Sequence, residues 1–202
     1  MTTTLSRPTE VEKVSSPSRV WFTRDNCETL VSMSLLQMPY ELIDGEVISK
    51  MGQNALHCSG MRLVTRWLAE VYGLDFVSSQ LTLEVLQEDR LHSDPLPDAF
   101  VTTKSLESYF KVQPEPKDVL LLIEVADASR SFDLSTKAAL YARSSITEYW
   151  VLDMVNRNIV VHLEPTIDGY RSVVAYSEYE TLSPKLKPEA KLTPSVLLPP
   201  IG

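Results

Sequence analysis

The pattern of apolar residues along the chain predicts its strands. The segment VLLLIEVADAS begins at Val119 with an unbroken apolar run, and Glu124 follows that run directly. A run of this kind is typical of a central strand buried on both faces, here at about 118–126. Further strands are predicted at about 75–86, at 98–103 and in the segments EYWVLD, NIVVHLE and YRSVVAYS.

Helical spacing and capping residues predict three helices. Apolar residues recur every three or four positions through 54–72, which predicts a long amphipathic helix. A helix at 23–38 is predicted from its capping threonine and the proline that follows it, and a third is predicted at 133–144. Ser131 or Asp133 is the predicted cap of this third helix.

The order of these elements predicts the fold class. The segment YELIDGEVIS alternates around Asp44-Gly45, the dipeptide favoured in a two-residue hairpin turn of type I′. Residues 1–19 are rich in Ser, Thr and Pro and are predicted to form a tail, whereas 20–202 are predicted to form one domain. The expected fold is α/β (α+β), with a mixed central β-sheet flanked by helices.

Composition narrows the class of protein. The chain has 202 residues, 44% of them hydrophobic, and a net charge of −8, which does not favour non-specific nucleic-acid binding but leaves room for a local basic groove. Cys27 and Cys58 form no CxxC motif, as expected of a reduced protein. No apolar run is long enough to span a membrane, and the N-terminus lacks the apolar core of a signal peptide, so a cytoplasmic location is expected.

Glu124 is the first candidate for chemistry. An unpaired buried carboxylate costs several kcal/mol or takes up a proton, so a basic partner, a hydrogen-bond network or a metal ion should compensate for it. Asp98, in DPLPDAFV, opens another predicted strand. If the two strands are adjacent, both carboxylates meet at one end of the sheet, where a Mg²⁺ ion could bind them together with the backbone carbonyl of Val125.

Each of these carboxylates also has a purely structural interpretation. Glu124 could form a buried salt bridge with a lysine or arginine of the core, and Asp98 could be a turn or cap residue after Pro97. The combination of the two favours a site. Nucleotide-binding glycine motifs, a GxSxG elbow and an HExxH motif are all absent from the sequence.

Basic residues on two predicted helices could complete the site. Lys137 borders the apolar face of its helix, where it could orient a water molecule or stabilise a charged transition state, or else extend to solvent. His57, near the inner face of the long helix, could bond to Asp98 or to a phosphate, although a histidine at the core edge is the simpler interpretation. Glu41 and Glu46 flank the hairpin turn and are predicted to face solvent.

The order of these motifs resembles a known family. YELIDGE, a helix that opens near a histidine, Pro-Asp, a strand that ends in IEV and then KAALYARSSITEYWVLD are similar to the Uma family of proposed endonucleases. That family is abundant in cyanobacteria and belongs to the PD-(D/E)XK nuclease superfamily. The resemblance covers roughly residues 22 to 180, and the segment from Glu124 to Asp153 is its most specific part.

The resemblance implies a restriction-endonuclease-like core and a set of site residues. Asp98 and Glu124 match the metal carboxylates. The usual superfamily lysine would stand where this chain has Ala126, whereas members of the family place a lysine on the next helix, where Lys137 matches. His57 matches a histidine at the start of the long helix. The implied cofactor is Mg²⁺ or Mn²⁺.

Two functions from different classes remain open at this point. The first is a metal-dependent endonuclease that hydrolyses phosphodiester bonds in DNA, with Asp98, Glu124, Lys137 and His57 as its catalytic residues. The second is a nuclease-fold binding or scaffold protein with little catalysis, which the acidic charge balance favours. A homodimer is expected for the endonuclease, because two DNA strands require two sites.

Overall fold

A computed structural model describes residues 19–50 and 54–200. The predicted tail at 1–19 lies outside the described residues, apart from its last position. Strands β1 (Tyr40–Ile43) and β2 (Glu46–Ser49) form the predicted antiparallel hairpin. The turn residues Asp44 and Gly45 have φ angles of 47° and 82°, and these positive values are what a type I′ turn requires.

A mixed sheet forms the centre of the fold. Its six strands are β3 (Val77–Ser79), β4 (Ala99–Thr102), β5 (Val119–Ala126), β6 (Glu148–Asp153), β7 (Asn158–Thr166) and β8 (Gly169–Ser177). In the described part of the chain these strands lie in sequential order, with β5 and β6 parallel and every other neighbouring pair antiparallel. The apolar run of β5 is therefore central, as predicted, and the mixed sheet is confirmed.

Helices cover this sheet and the hairpin. They are α1 (Arg24–Ser32), α2 (Ala55–Tyr72), α3 (Arg130–Phe132), a π-helical turn (Asp133–Lys137) and α4 (Ala138–Arg143). Asn54 caps α2, because its side chain accepts a hydrogen bond from the backbone of His57. None of the helices in the described ranges has the length and apolar character needed to cross a lipid bilayer.

Alternation along β5 separates two layers of the core. Leu121, Ile123 and Val125 belong to the layer that contains Trp67 of α2. The residues between them point to the opposite face, where Leu122 and Ala126 pack with Ala138 and Tyr141 of α4. Because side chains alternate along a strand, Glu124 faces the α4 layer.

Three predicted boundaries differ from the structure. The first helix ends at Ser32 instead of 38, because the chain turns at Ser34, whose φ is 58°. The strand predicted at 75–86 is limited to Val77–Ser79, since Gln80 has a φ of 56° and the next residues leave the sheet. The third helix begins at Arg130, so neither predicted cap is at its start.

Gly60 allows α2 to approach the sheet closely, and this generates a prediction. A Cβ atom at Gly60 would lie 2.9 Å from Cγ1 of Val125 and 3.0 Å from Cε of Met154. Valine at this position should lower the free energy of unfolding by about 1–3 kcal/mol, because overpacking a filled core displaces its neighbours. Thermal or urea unfolding measures this change.

The matched control is Cys58→Val, a β-branched substitution at an exposed position of the same helix. It should cost less than about 1 kcal/mol. Equal destabilisation by the two valines would contradict the close packing of α2 on β5.

Candidate active site

A cavity of about 230 Å³ opens beside the end of β5. Five parts of the chain contribute to it: β1, the end of β2, the start of α2, the residue before β4 and the segment from β5 through the π-helical turn. Its lining includes charged and polar side chains from all five, among them Glu41, Lys50, His57, Asp98, Asp127 and Lys137.

The strand register brings Asp98 and Glu124 together. Ala99 pairs with Ile123, so the next position in register sets Asp98 opposite Glu124 on the same face. Asp98 Oδ2 accepts a hydrogen bond of 2.9 Å from the backbone N–H of Val125, and the N–H of Asp98 donates to Glu124 Oε2 at 3.4 Å. Both carboxylates are buried, with exposed fractions of 2% and 1%.

Lys137 lies in the centre of a buried ionic cluster. Its Nζ atom is 2.9 Å from Glu124 Oε1 and 2.9 Å from Glu41 Oε1, and it is 3.7 Å from Asp133 Oδ1. The hydroxyl of Tyr141 donates a second hydrogen bond to Glu124 Oε1 at 2.8 Å. The close contact between Glu124 and a core lysine, which the structural interpretation of this acid requires, is therefore present.

Lys50 and His57 complete the cluster from the cavity side. Lys50 Nζ is 2.9 Å from Asp98 Oδ1, 3.9 Å from Glu41 Oε1 and 4.0 Å from Glu124 Oε2. His57 Nε2 lies 3.7 Å from Asp98 Oδ1 and has no hydrogen-bond partner in the part of the chain that the structure describes. The structure thus brings the four side chains predicted for the site, Asp98, Glu124, Lys137 and His57, into one cluster.

A comparison with protein families identifies the group to which this chain is related. The model of the Uma2 family, described as "Putative restriction endonuclease", matches residues 33–195. That range includes all the side chains of the cluster. The chain belongs to the Uma2 family. The resemblance inferred from the sequence motifs is therefore confirmed.

A solved structure supports the fold of this Uma2 protein. A crystal structure described as "a putative nuclease belonging to DUF820", from Anabaena variabilis, matches with a TM-score of 0.63 and 11% sequence identity. The match covers 83% of this chain and 96% of that one, and at this identity it supports the fold alone. A search among curated proteins finds no match.

Burial and neighbouring charges shift the pKa values of the two opposed carboxyl groups in opposite directions. Burial raises the pKa of Glu124 to about 8, although the Lys137 ammonium opposes this effect. Burial also acts to raise the pKa of Asp98, but the ammonium groups of Lys50 and Lys137 outweigh it and hold that pKa below its usual range. Like charges directly opposite on neighbouring strands repel, so the charge of Asp98 adds to the effect of burial in raising the pKa of Glu124.

The donor set of the Uma2 site suits a hard cation. No group of three or more His, Cys, Asp and Glu residues within 19–50 and 54–200 is arranged as a ready metal site. The Lys50 ammonium nevertheless lies 2.9–4.0 Å from oxygens of three carboxylates, those of Glu41 in β1, Asp98 just before β4 and Glu124 in β5. Carboxylate oxygens are the ligands that Mg²⁺ takes, so the position held by this ammonium fits a cation of that class.

The backbone of Val125 belongs to the same donor set. A strand residue directs its N–H and C=O toward the same neighbour, and the N–H of Val125 bonds to Asp98. Its carbonyl therefore points to the side of β5 on which Asp98 lies. The predicted metal role of Val125, like those of Asp98 and Glu124, stays a prediction.

The sequence interpretation missed three charged members of the cluster, Glu41, Lys50 and Asp133, the last of which was considered only as a helix cap. The prediction that Glu41 faces solvent is wrong, because its exposed fraction is 2% and its carboxylate also accepts the N–H of Leu96. The alternation of polar and apolar residues predicts one exposed face for β1, but both faces of this strand are covered. Leu42, on the face opposite Glu41, is also fully buried. Glu46 is exposed, as predicted. No sequence pattern singled out Lys50, which follows the end of β2.

The raised pKa of Glu124 predicts how the stability of the metal-free protein depends on pH. A glutamate in the unfolded chain ionises near 4.5, whereas Glu124 in the folded chain holds its proton up to about 8. The contribution of Glu124 to stability is thus fully present below the lower value and is lost as pH rises toward the higher one. The loss is at most about 1.4 kcal/mol per pH unit.

Glu124→Gln should remove this dependence, because glutamine is neutral and keeps an oxygen that accepts from Tyr141 and Lys137. As pH rises from about 5 to about 8, in EDTA, the variant should gain free energy of unfolding relative to the wild-type protein. Urea unfolding at several pH values measures the difference. A difference that stays constant across the range would contradict a protonated Glu124.

Proposed function

We propose that this protein is a metal-dependent endonuclease that hydrolyses phosphodiester bonds in DNA. Membership of a family described as "Putative restriction endonuclease" supports a nuclease-like function. The observation that carries the finer proposal is the opposed pair Asp98 and Glu124, whose oxygens converge on one cationic position beside an open cavity. Paired carboxylates at a cavity are the ligands expected of a metal-assisted phosphodiesterase.

In this proposal Asp98, Glu124 and the Val125 carbonyl hold a Mg²⁺ or Mn²⁺ ion. When bound, such an ion polarises a phosphate and lowers the pKa of a water molecule, which makes hydroxide available near neutral pH. Asp98 is well suited to bind it, because the low pKa of Asp98 keeps this carboxylate ionised. Glu124 must release its proton to bind a cation, so metal affinity should rise with pH.

Two further residues have proposed roles in the site, Lys137 in positioning a metal ligand and His57 in contact with a water molecule or the substrate. Lys137 acts through Glu124: the ion pair fixes Oε1 of this carboxylate and leaves Oε2 directed toward Asp98 and Lys50. His57 directs an unpartnered Nε2 atom into the site, 3.7 Å from Asp98. A water molecule or a phosphate oxygen that enters the cavity is the partner proposed for this nitrogen.

A binding or scaffold protein of nuclease fold is the second candidate. One observation favours it: within the described chain, Glu41, Asp98 and Glu124 each lie 2.9 Å from a lysine ammonium, so lysines compensate part of their negative charge without a metal ion. A scaffold would retain this network without binding metal. Calorimetry with Mg²⁺ separates the two functions, because only the endonuclease needs to bind the ion.

Cleavage of plasmid and of single-stranded DNA with Mg²⁺ or Mn²⁺ tests the proposed activity. Wild-type protein should cleave, and both Glu124→Gln and Asp98→Asn should reduce cleavage to the background, because each removes a charged oxygen ligand. Glu46→Gln is the matched control, since Glu46 is an exposed carboxylate on the nearby hairpin. Equal cleavage by wild type and Glu124→Gln would indicate a contaminating nuclease and refute the proposal.

We also propose that the endonuclease is a homodimer, since cutting both strands of a duplex requires two sites. Strand β8 is an edge of the sheet in the described chain, and its Val173 and Val174 side chains are 53% and 45% exposed. Edge strands with exposed apolar residues pair readily with another chain.

Light scattering at micromolar concentration tests the proposed dimer and should give twice the chain mass of 22.7 kDa. A mass near 22.7 kDa would contradict the dimer.

A further inference from the structure

We propose that Lys50, and not Lys137, is the basic residue that contacts the substrate phosphate. This inference rests on the proposed function and adds a substrate-contacting residue to it. Both lysines border the cavity, but they differ in burial and in the carboxylates that hold them. These two differences decide which ammonium group can meet an anion from outside.

Lys137 is held too firmly to serve an incoming phosphate. Its side chain is 1% exposed, and its ammonium forms close contacts with Glu41 and Glu124 and a longer one with Asp133. If it moved toward a substrate, it would leave buried carboxylates without a counter-charge, which is strongly unfavourable. Lys137 is therefore a positioning residue that orients Glu124.

Lys50 is held by fewer close contacts and lies nearer to solvent. Its side chain is 10% exposed, and its one close ion pair is with Asp98 at 2.9 Å, while Glu41 and Glu124 lie 3.9 Å and 4.0 Å away. It stands directly after β2, at the end of the hairpin. A lysine side chain carries its charge on four flexible carbons, so a shift into the cavity needs no movement of the strand.

A divalent cation between Asp98 and Glu124 would change the position of Lys50 more than that of Lys137. The cation would take over the oxygens that now surround the Lys50 ammonium and would repel that ammonium toward the cavity. Lys137 would keep Glu41 and Asp133 as partners. A bound cation would thus make Lys50 available on the cavity side, where a substrate phosphate would enter.

Binding of a short single-stranded DNA tests this inference at several salt concentrations, with Ca²⁺ present instead of Mg²⁺. Fluorescence anisotropy gives the slope of log K against log salt concentration, which reports the number of phosphates neutralised by the protein. Lys50→Gln should reduce the magnitude of this slope by about 0.7, the value for one contact with a single strand. Lys50→Arg keeps the charge and should restore the wild-type slope.

Variants of Lys137 should show the opposite behaviour, with a change in stability and no change in the salt dependence of DNA binding. Lys137→Met should lower the melting temperature without changing the slope. If it does not fold, the charge-matched double variant Glu41→Gln/Lys137→Met replaces it, because both members of one ion pair are neutralised together. A reduced slope in the folded Lys137 variant, or an unchanged slope in Lys50→Gln, overturns the inference while leaving the endonuclease proposal intact. Absence of DNA binding by the wild-type protein overturns both.

Discussion

The requirement to compensate buried negative charge governs the arrangement of this molecule. Carboxylates from several elements lie within a few ångströms of one another beneath the cavity, where water screens them poorly. Two ammonium groups stand among them, and each contacts more than one carboxylate. The acidic members are Glu41, Asp98, Glu124 and Asp133, and the basic members are Lys50 and Lys137. The cluster thereby joins the hairpin, the central sheet and the π-helical turn.

Stability alone does not account for such a cluster. The free energy needed to desolvate several charges can exceed the free energy gained from their mutual attraction. Well-packed apolar side chains can therefore often replace a buried ion pair without loss of folding stability. The surroundings of Glu124 illustrate the point, because apolar residues such as Leu122 and Ala126 fill the same layer of the core. The pKa of Glu124, raised to about 8 by burial beneath a cavity lined by charged groups, is a shift of the kind found at functional sites. The cluster is therefore consistent with the metal-assisted chemistry proposed for it.

Much of the fold could be predicted from the sequence, whereas only part of the site could. The run at Val119 identified the central strand, and Asp44-Gly45 identified the hairpin, because both signals are local. The burial of Glu41 depends on what covers β1, and alternation reports which face a side chain occupies but not what packs against that face. Lys50 reaches Asp98 only after the hairpin docks beside the sheet. No local pattern records a contact across 48 residues of chain.

The register of one strand pair determines whether the site exists at all. Ala99 pairs with Ile123, so Asp98 and Glu124 occupy the next opposed positions and share a face. A shift of one residue would send one carboxylate into the apolar layer of α2 and separate the pair. Side chains prevent that shift, because Asp98 accepts the N–H of Val125 and donates its own N–H to Glu124. The hydrogen bonds of Asp98 and Glu124 thus extend the pairing of β4 and β5 beyond the last backbone pair. The same hydrogen bonds orient the two carboxylates, whose other contacts include the Lys50 ammonium.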